Sequence, residues 1–159
     1  MRFLCDEMLE GLARWLRAAG YDAQKAPRSA RDRDLVRHAL TENRILLSRD
    51  RDILQIKGAE TCVHLLASPD LEGWASELRN SLKLDWLHGP MSRCLVCNVP
   101  LQDATVDDIQ SMPIDSQVRP GPFHTCPQCH RHYWPGSHVR RMMERLQAFA
   151  SGQSGAKEP

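Results

Sequence analysis

An α/β fold with a mostly parallel sheet, followed by a small metal-stapled module and a terminal helix, is what this sequence predicts. Three observations predict it. Short apolar runs of strand type alternate four times with segments of helical periodicity. Those runs are apolar nearly throughout rather than at every second residue, as in strands covered on both faces. Beyond residue 90, two Cys-x-x-Cys pairs appear among prolines and turn residues.

Taken in order, Arg2-Phe3-Leu4-Cys5 reads as a buried strand ending at Asp6-Glu7. Met8, Leu9, Leu12, Ala13, Trp15, Leu16 and Ala19 then recur at helical spacing until Gly20 stops the helix. Tyr21-Asp22-Ala23-Gln24-Lys25 is a second strand. Leu35, Val36, Ala39 and Leu40 mark a helix that Ser29 or Asp32 caps. Arg44-Ile45-Leu46-Leu47 is a third strand closing on Ser48-Arg49-Asp50, and a short helix through Ile53 and Leu54 follows. Thr61-Cys62-Val63-His64-Leu65-Leu66 is the fourth strand. Ser68-Pro69 opens a helix whose apolar face is Leu71, Trp74, Ala75, Leu78 and Leu82. His88-Gly89-Pro90 marks a linker, and a last helix covers residues 137–149. The expected division is an α/β sheet domain over residues 1–88, a cysteine-bearing module with its helix over 91–150, and a disordered tail over 151–159.

Composition sets bounds on this reading. The 159 residues are 42% hydrophobic and 26% charged, as in a soluble globular chain. No apolar run approaches the roughly 18 residues of a membrane span, and Asp6 arrives too early for a secretory signal. A cytoplasmic location away from membranes is expected. The net charge of +1 offers no global attraction for a polyanion. Its distribution is uneven: residues 102–115 hold Asp103, Asp107, Asp108 and Asp115 without a Lys or Arg, whereas residues 123–150 hold Arg131, Arg140, Arg141 and Arg145 against Glu144. Such asymmetry either orients a nucleic acid or belongs to a solvated surface.

Cys94-Leu95-Val96-Cys97 and Cys126-Pro127-Gln128-Cys129 can each present two thiolates, together completing a tetrahedral site suited to zinc. Four sulfurs leave no open coordination position, so this metal is expected to be structural. His124, His130 and His132 are near enough to replace one cysteine. Cys5 and Cys62 read as small buried residues.

The chemical argument rests on Asp6, Asp32 and Asp50. Asp6 and Asp50 each terminate a short apolar strand, and Asp32 stands at a helix start. In an open parallel sheet these positions line one crevice. Carboxylates converging there repel one another, and Mg²⁺ or Mn²⁺ relieves that repulsion through hard oxygen ligands. Such an ion can activate water for attack on a phosphate. Each acid also has a simpler reading, as a cap, a first-turn residue or a surface charge. Glu7, Asp34 and Asp52 are possible supporting acids. Arg14 and Arg17 share the helix that starts at this point, either on an exposed face with a Glu10–Arg14 pair or as phosphate contacts.

Phe3-Leu4-Cys5-Asp6-Glu7-Met8-Leu9, Leu12-Ala13-Arg14-Trp15-Leu16-Arg17 and Gly20-Tyr21-Asp22 resemble the Mut-seven C-terminal RNase domain family. The resemblance continues through Asp32-Arg33-Asp34-Leu35, Arg44-Ile45-Leu46-Leu47-Ser48-Arg49-Asp50, Arg93-Cys94-Leu95-Val96-Cys97-Asn98, Cys126-Pro127-Gln128-Cys129 and Tyr133-Trp134-Pro135-Gly136-Ser137-His138. The family is similar to PIN-type nucleases with a zinc ribbon appended. The resemblance implies a PIN-like three-layer domain, RNA as substrate, a Mg²⁺ or Mn²⁺ site at Asp6, Asp32 and Asp50, and zinc at Cys94, Cys97, Cys126 and Cys129. Ser48 stands where threonine is commoner, which keeps the hydroxyl. No position matches a fourth acid without ambiguity. The function expected is a metal-dependent, endonucleolytic ribonuclease that holds RNA with Arg14, Arg17, Arg140, Arg141 and Arg145. Tyr133 and Trp134 either stack on bases or pack on the ribbon. The alternatives are a non-catalytic RNA- or ribosome-binding protein and a toxin-like nuclease held by a protein partner.

Overall fold

The computed structural model describes residues 1–118 and 120–152. Strands β1 (Arg2–Cys5), β2 (Asp22–Lys25), β3 (Ile45–Ser48) and β4 (Val63–Leu65) form a parallel sheet in the order β2-β1-β3-β4. Helices α1 (Glu10–Ala18), α2 (Asp32–Glu42), α3 (Ala59–Cys62) and α4 (Leu71–Ser81) connect or follow them, with 3-10 turns at Glu7–Leu9 and Asp52–Gln55. A second, antiparallel sheet is made by β5 (Gln102–Asp103), β6 (His124–Thr125) and β7 (His132–Tyr133). Around it lie α5 (Val106–Ser111), α6 (Ile114–Gln117) and the final helix α7 (Ser137–Ser151). The predicted α/β class and parallel sheet are what the chain adopts. No helix among the described residues is long and apolar enough to cross a membrane.

The layers follow from the two-residue period of a strand. Phe3, Cys5 and Leu47 point to one face and are buried with Leu12 and Leu16 of α1, Ala75 and Leu78 of α4, and Met142, Leu146 and Phe149 of α7. Leu4 and Leu46 point to the other face, against Leu35, Val36 and Ala39 of α2 with Ile53 and Ala59. Continuous apolar strands are therefore required on both sides. Phe149 packs edge-on to Trp15 at 5.4 Å between ring centres. Arg79 donates to the Phe149 carbonyl at 3.1 Å, where the α7 carbonyl end favours a cation.

Several local expectations change. Thr61 and Cys62 belong to α3, so β4 starts only at Val63. Neither Ser29 nor Asp32 caps α2: Arg31 occupies the cap position without a side-chain bond, Asp32 is the first helical residue, and Ser29 takes a left-handed φ of 60°. Ser68 does not cap α4 either: the helix starts only at Leu71, and Ser68 donates its N–H and hydroxyl to Glu77. Asp70 does, accepting from Gly73 N–H at 2.9 Å. The segment expected to be a linker is fastened down: Gly89 N–H donates to Ala19 O at 3.0 Å, Met91 N–H to Ala18 O at 2.7 Å, and His88 stacks on Tyr21. Gly20, at φ +96°, permits this approach, since a Cβ there would lie 2.5 Å from the Gly89 carbonyl oxygen. Ser151, expected in the tail, is the last residue of α7. The rest of that expected tail, residues 153–159, lies outside the described residues.

β2 is an edge strand, and its open side is covered rather than left to pair with another chain. Ala23 donates its N–H to Asn98 at 3.0 Å, and its carbonyl accepts from Arg17 at 2.7 Å. Asp22 beside it accepts from Arg44 at 2.8 and 3.1 Å, from Asn98 at 2.7 Å and from Arg2 at 3.1 Å. Burial pushes the Asp22 carboxyl up, but these hydrogen bonds outweigh it and hold the group well below the usual carboxylate range. A depressed folded pKa means that the unfolded chain binds the proton more readily. The stabilisation is thus full above the ordinary value of 3.8 and is lost as pH falls below it. Asp22→Asn is expected to cost about 2 kcal/mol at neutral pH, as for hydrogen bonds to a charged group. Urea melts between pH 3 and 7 should show a smaller acid loss in the variant than in wild type. Parallel acid profiles would contradict this.

Candidate active site and metal centre

Asp6 and Asp50 are brought together by strand adjacency. β1 and β3 pair in parallel with Cys5 opposite Leu47, and Asp6 N–H extends the ladder to Leu47 O at 3.0 Å. Both chains therefore leave the sheet at the same carboxyl edge. Ser48, wholly buried at the end of β3, donates its hydroxyl to Asp6 Oδ2 at 2.7 Å and accepts from Asp50 N–H at 3.0 Å. The other oxygen of Asp6 accepts from Glu7 N–H at 2.6 Å, which caps the following 3-10 turn. Asp50 in turn accepts from Asp52 N–H at 2.8 Å.

Asp32 enters from the start of α2. Burial raises its carboxyl pKa first, and the charges of Asp50, Asp6 and Asp52 raise it further. The charges of Asp6, Asp50 and Asp52 therefore act together on Asp32. That suits a hard divalent ion through oxygen ligands. Among the three supporting acids, Asp52 is the one whose charge reaches Asp32. Glu7 is exposed and accepts from Ser29 N–H at 3.3 Å, while Asp34 is engaged by Arg37 and by Arg31 at 3.7 Å.

The cysteines form two nearly equivalent knuckles. Cys97 N–H points to Cys94 Sγ at 3.3 Å and Cys129 N–H to Cys126 Sγ at 3.4 Å. Each knuckle is closed by a residue of left-handed φ, Asn98 at 65° and His130 at 55°. Their N–H groups return to Cys94 O at 3.0 Å and Cys126 O at 2.9 Å. All four Sγ atoms lie within 4.8 Å of one another, with no histidine in the set, and this is the one such gathering of metal-ligand side chains found among the described residues. Burial opposes charge on Cys94, but hydrogen bonds from Cys97 N–H, the Tyr133 hydroxyl and Val96 N–H outweigh it and bring the thiol down to about 6. Cys97 is pushed up to about 12, first by sharing its proton with Cys129 and then by burial and the Cys94 charge. Four thiols so close cannot all ionise alone; a soft-ligand dication such as zinc fits them. Cys5, by contrast, is pushed up to about 12 by burial and stands apart as a core residue.

The arginines expected to meet RNA separate into two groups. Arg17 is buried, donating to Ala23 O at 2.7 Å, Leu95 O at 3.0 Å and Val96 O at 2.9 Å. It pins the first cysteine knuckle to α1 and β2 and is not on the surface. Arg145 pairs with Glu72 and lies over the Phe149 and Trp15 rings at 5.5 and 6.0 Å. Arg14, Arg140 and Arg141 are exposed, Arg140 facing Glu144 at 3.9 Å. The expected Glu10–Arg14 pair does not form, because Glu10 is held by Lys25. A further set went unread in the sequence: Arg28 in the β2–α2 loop, Arg31, Arg33, Arg49 and Arg51 are exposed near the edge that bears the acids. Their signal was position, since Arg31, Arg33, Arg49 and Arg51 immediately flank Asp32 and Asp50 in the chain.

A family model described as the Mut7-C RNAse domain matches residues 1–146. Comparison with curated proteins and with solved structures returns no match. The family match points to a nuclease, RNA-related function and agrees with the resemblance seen in the strand-end and cysteine motifs. With a single match running from β1 into α7, the chain belongs to the Mut7-C RNAse domain family.

Proposed function

We propose that this chain is a metal-dependent endoribonuclease whose reacting centre is the carboxyl edge of β1 and β3. One observation carries the reading: the Ser48 hydroxyl ties Asp6 to the backbone of Asp50, within the field that raises Asp32. Asp6, Asp32 and Asp50 are the residues that would hold Mg²⁺ or Mn²⁺, with Asp52 beside them. The ion, when bound, supplies an activated water and charge stabilisation for the leaving oxygen of a phosphodiester. Ser48 orients Asp6, and the exposed arginines at the edge draw phosphates toward the acids. The cysteine set contributes stability and shape, since a four-thiolate site has no open position for chemistry.

A non-catalytic RNA-binding role is favoured by a different observation: the carboxylates are not gathered as the thiolates are. Cleavage of single-stranded RNA in Mg²⁺ or Mn²⁺, compared with an Asp6→Asn, Asp50→Asn double variant, separates the two. Cleavage by wild type alone supports the nuclease. RNA bound equally by both proteins and cut by neither supports the alternative.

A further inference from the structure

A cleft of about 1000 Å³ lies between the start of α1, the end of β2, the cysteine module and the first turn of α7. It begins close to the acids. Lys25, on its wall, is the register partner of Cys5, the residue before Asp6, and adjacent strands stand about 4.8 Å apart. Its charged side chains are four cations, Arg14, Arg17, Lys25 and Arg131, against two acids, Glu10 and Asp115. Arg14 meets the imidazole of His138 at 3.3 Å, its nearest acid on α1, Glu10, being engaged by Lys25. Arg131 is exposed on the opposite wall and forms no ion pair with a described residue. Asp115 also lines the cleft, on the α6 side.

The aromatic pair Tyr133-Trp134 divides its labour here. Tyr133 is fastened, accepting from Leu95 N–H at 3.0 Å, donating to Cys94 Sγ at 3.3 Å and packing on the core. Trp134 is half-buried, lines the cleft and belongs to neither apolar cluster. An indole left at the wall of a cationic cleft suits an unstacked base, and base stacking on an aromatic ring is available to single strands rather than to duplexes. The first turn of α7, entered at Gly136 without a side-chain cap, adds the positive end of a helix to the same wall.

We propose that this cleft holds a single-stranded RNA segment adjoining the bond presented to the acid edge, with Trp134 stacking on a base and Arg14 and Arg131 contacting phosphates. The proposal rests on the nuclease reading for the choice of RNA, whereas its physics concerns binding alone. It also moves the strand from the outer face of α7, where Arg140 and Arg141 stand, to the junction with the cysteine module.

The test uses the zinc-loaded full chain carrying Asp6→Asn and Asp50→Asn, so that RNA stays intact, and follows the anisotropy of a short fluorescent oligouridine. Trp134→Ala is expected to weaken binding roughly 5- to 100-fold, with Trp134→Phe retaining most of the affinity. Arg131→Ala and Arg14→Ala should each weaken binding and lower the slope of log affinity against log salt by about 0.7. Lys57→Ala, which removes an exposed cation outside the cleft, should leave both unchanged. Unaltered affinity and salt slope in the Arg131 and Arg14 variants overturns the proposal, as does failure of the chain to bind the oligonucleotide. Arg131 is exposed, so its variant keeps the test open if Trp134→Ala fails to fold. Should wild type cut no RNA while the cleft variants lose binding, the hydrolytic reading fails and the cleft stands. Should wild type cut RNA and the cleft variants bind and cut equally well, the cleft fails alone.

Discussion

Cys126→Ala is expected to release a tightly held metal and to unfold the second half of the chain. The physical reason is the small size of what surrounds the four sulfurs. β5, β6 and β7 have only two residues each, and β5 is exposed. Such strands supply few ladder bonds and little apolar burial, so the order of this region must come from the ligands. Structural zinc contributes roughly 10 kcal/mol to small folded units of this type. The effect should spread. Leu95, between the first two cysteines, is buried in the same cluster as Leu146 and Phe149 of α7, and Arg17 is bonded to Leu95 and Val96 carbonyls. Loss of the knuckle therefore strands a buried guanidinium and loosens α7. Metal content should fall from about one equivalent to none, and amide exchange should rise across residues 92–136 and then in α7. An unchanged metal content and exchange pattern would show that the sulfurs do not hold the fold together.

The second large effect is expected at the acid edge. Asp50→Asn should lower metal-dependent cleavage about 10²- to 10³-fold, because charge stabilisation by a bound ion is worth several kcal/mol and the carboxylate is the group that retains it. Folding should be spared, since Asp50 is exposed and the bond its side chain accepts from Asp52 N–H can be kept by an amide oxygen. Ser48 discriminates a positioning role from a structural one. Ser48→Ala should raise the Mn²⁺ concentration for half-maximal activity about 10- to 100-fold, as removal of a ligand's orienting partner does. Ser48→Thr, which retains the hydroxyl, should restore it. A Ser48→Ala enzyme with normal metal dependence would remove Ser48 from the proposed centre.

The parts of this chain legible from residues alone are those in which the physics is local. A run such as Phe3-Leu4-Cys5 must be covered on both sides, and the two apolar clusters divide Phe3 and Cys5 from Leu4 as a strand's alternation requires. Cys-x-x-Cys spacing likewise brings two thiols to one turn before any tertiary contact exists. Caps are less legible, because the cap is whichever acceptor precedes the first helical residue: Ser68 has suitable chemistry, but α4 starts only at Leu71, so Asp70 takes the role.

Arg17 shows most clearly what periodicity does not reveal. On a helical wheel it is one more cation near Arg14, yet it is buried and bound to three carbonyls, two of them from residues far along the chain. The parallel α/β class, the family and the two Cys-x-x-Cys turns are legible from the residues alone, since each rests on short local patterns. Which cations are buried, which face the cleft, and the link from Asp6 through Ser48 to Asp50 follow only from the folded chain. Those outcomes depend on which distant segments meet, and a long side chain can reach either solvent or a carbonyl from the same position on its helix.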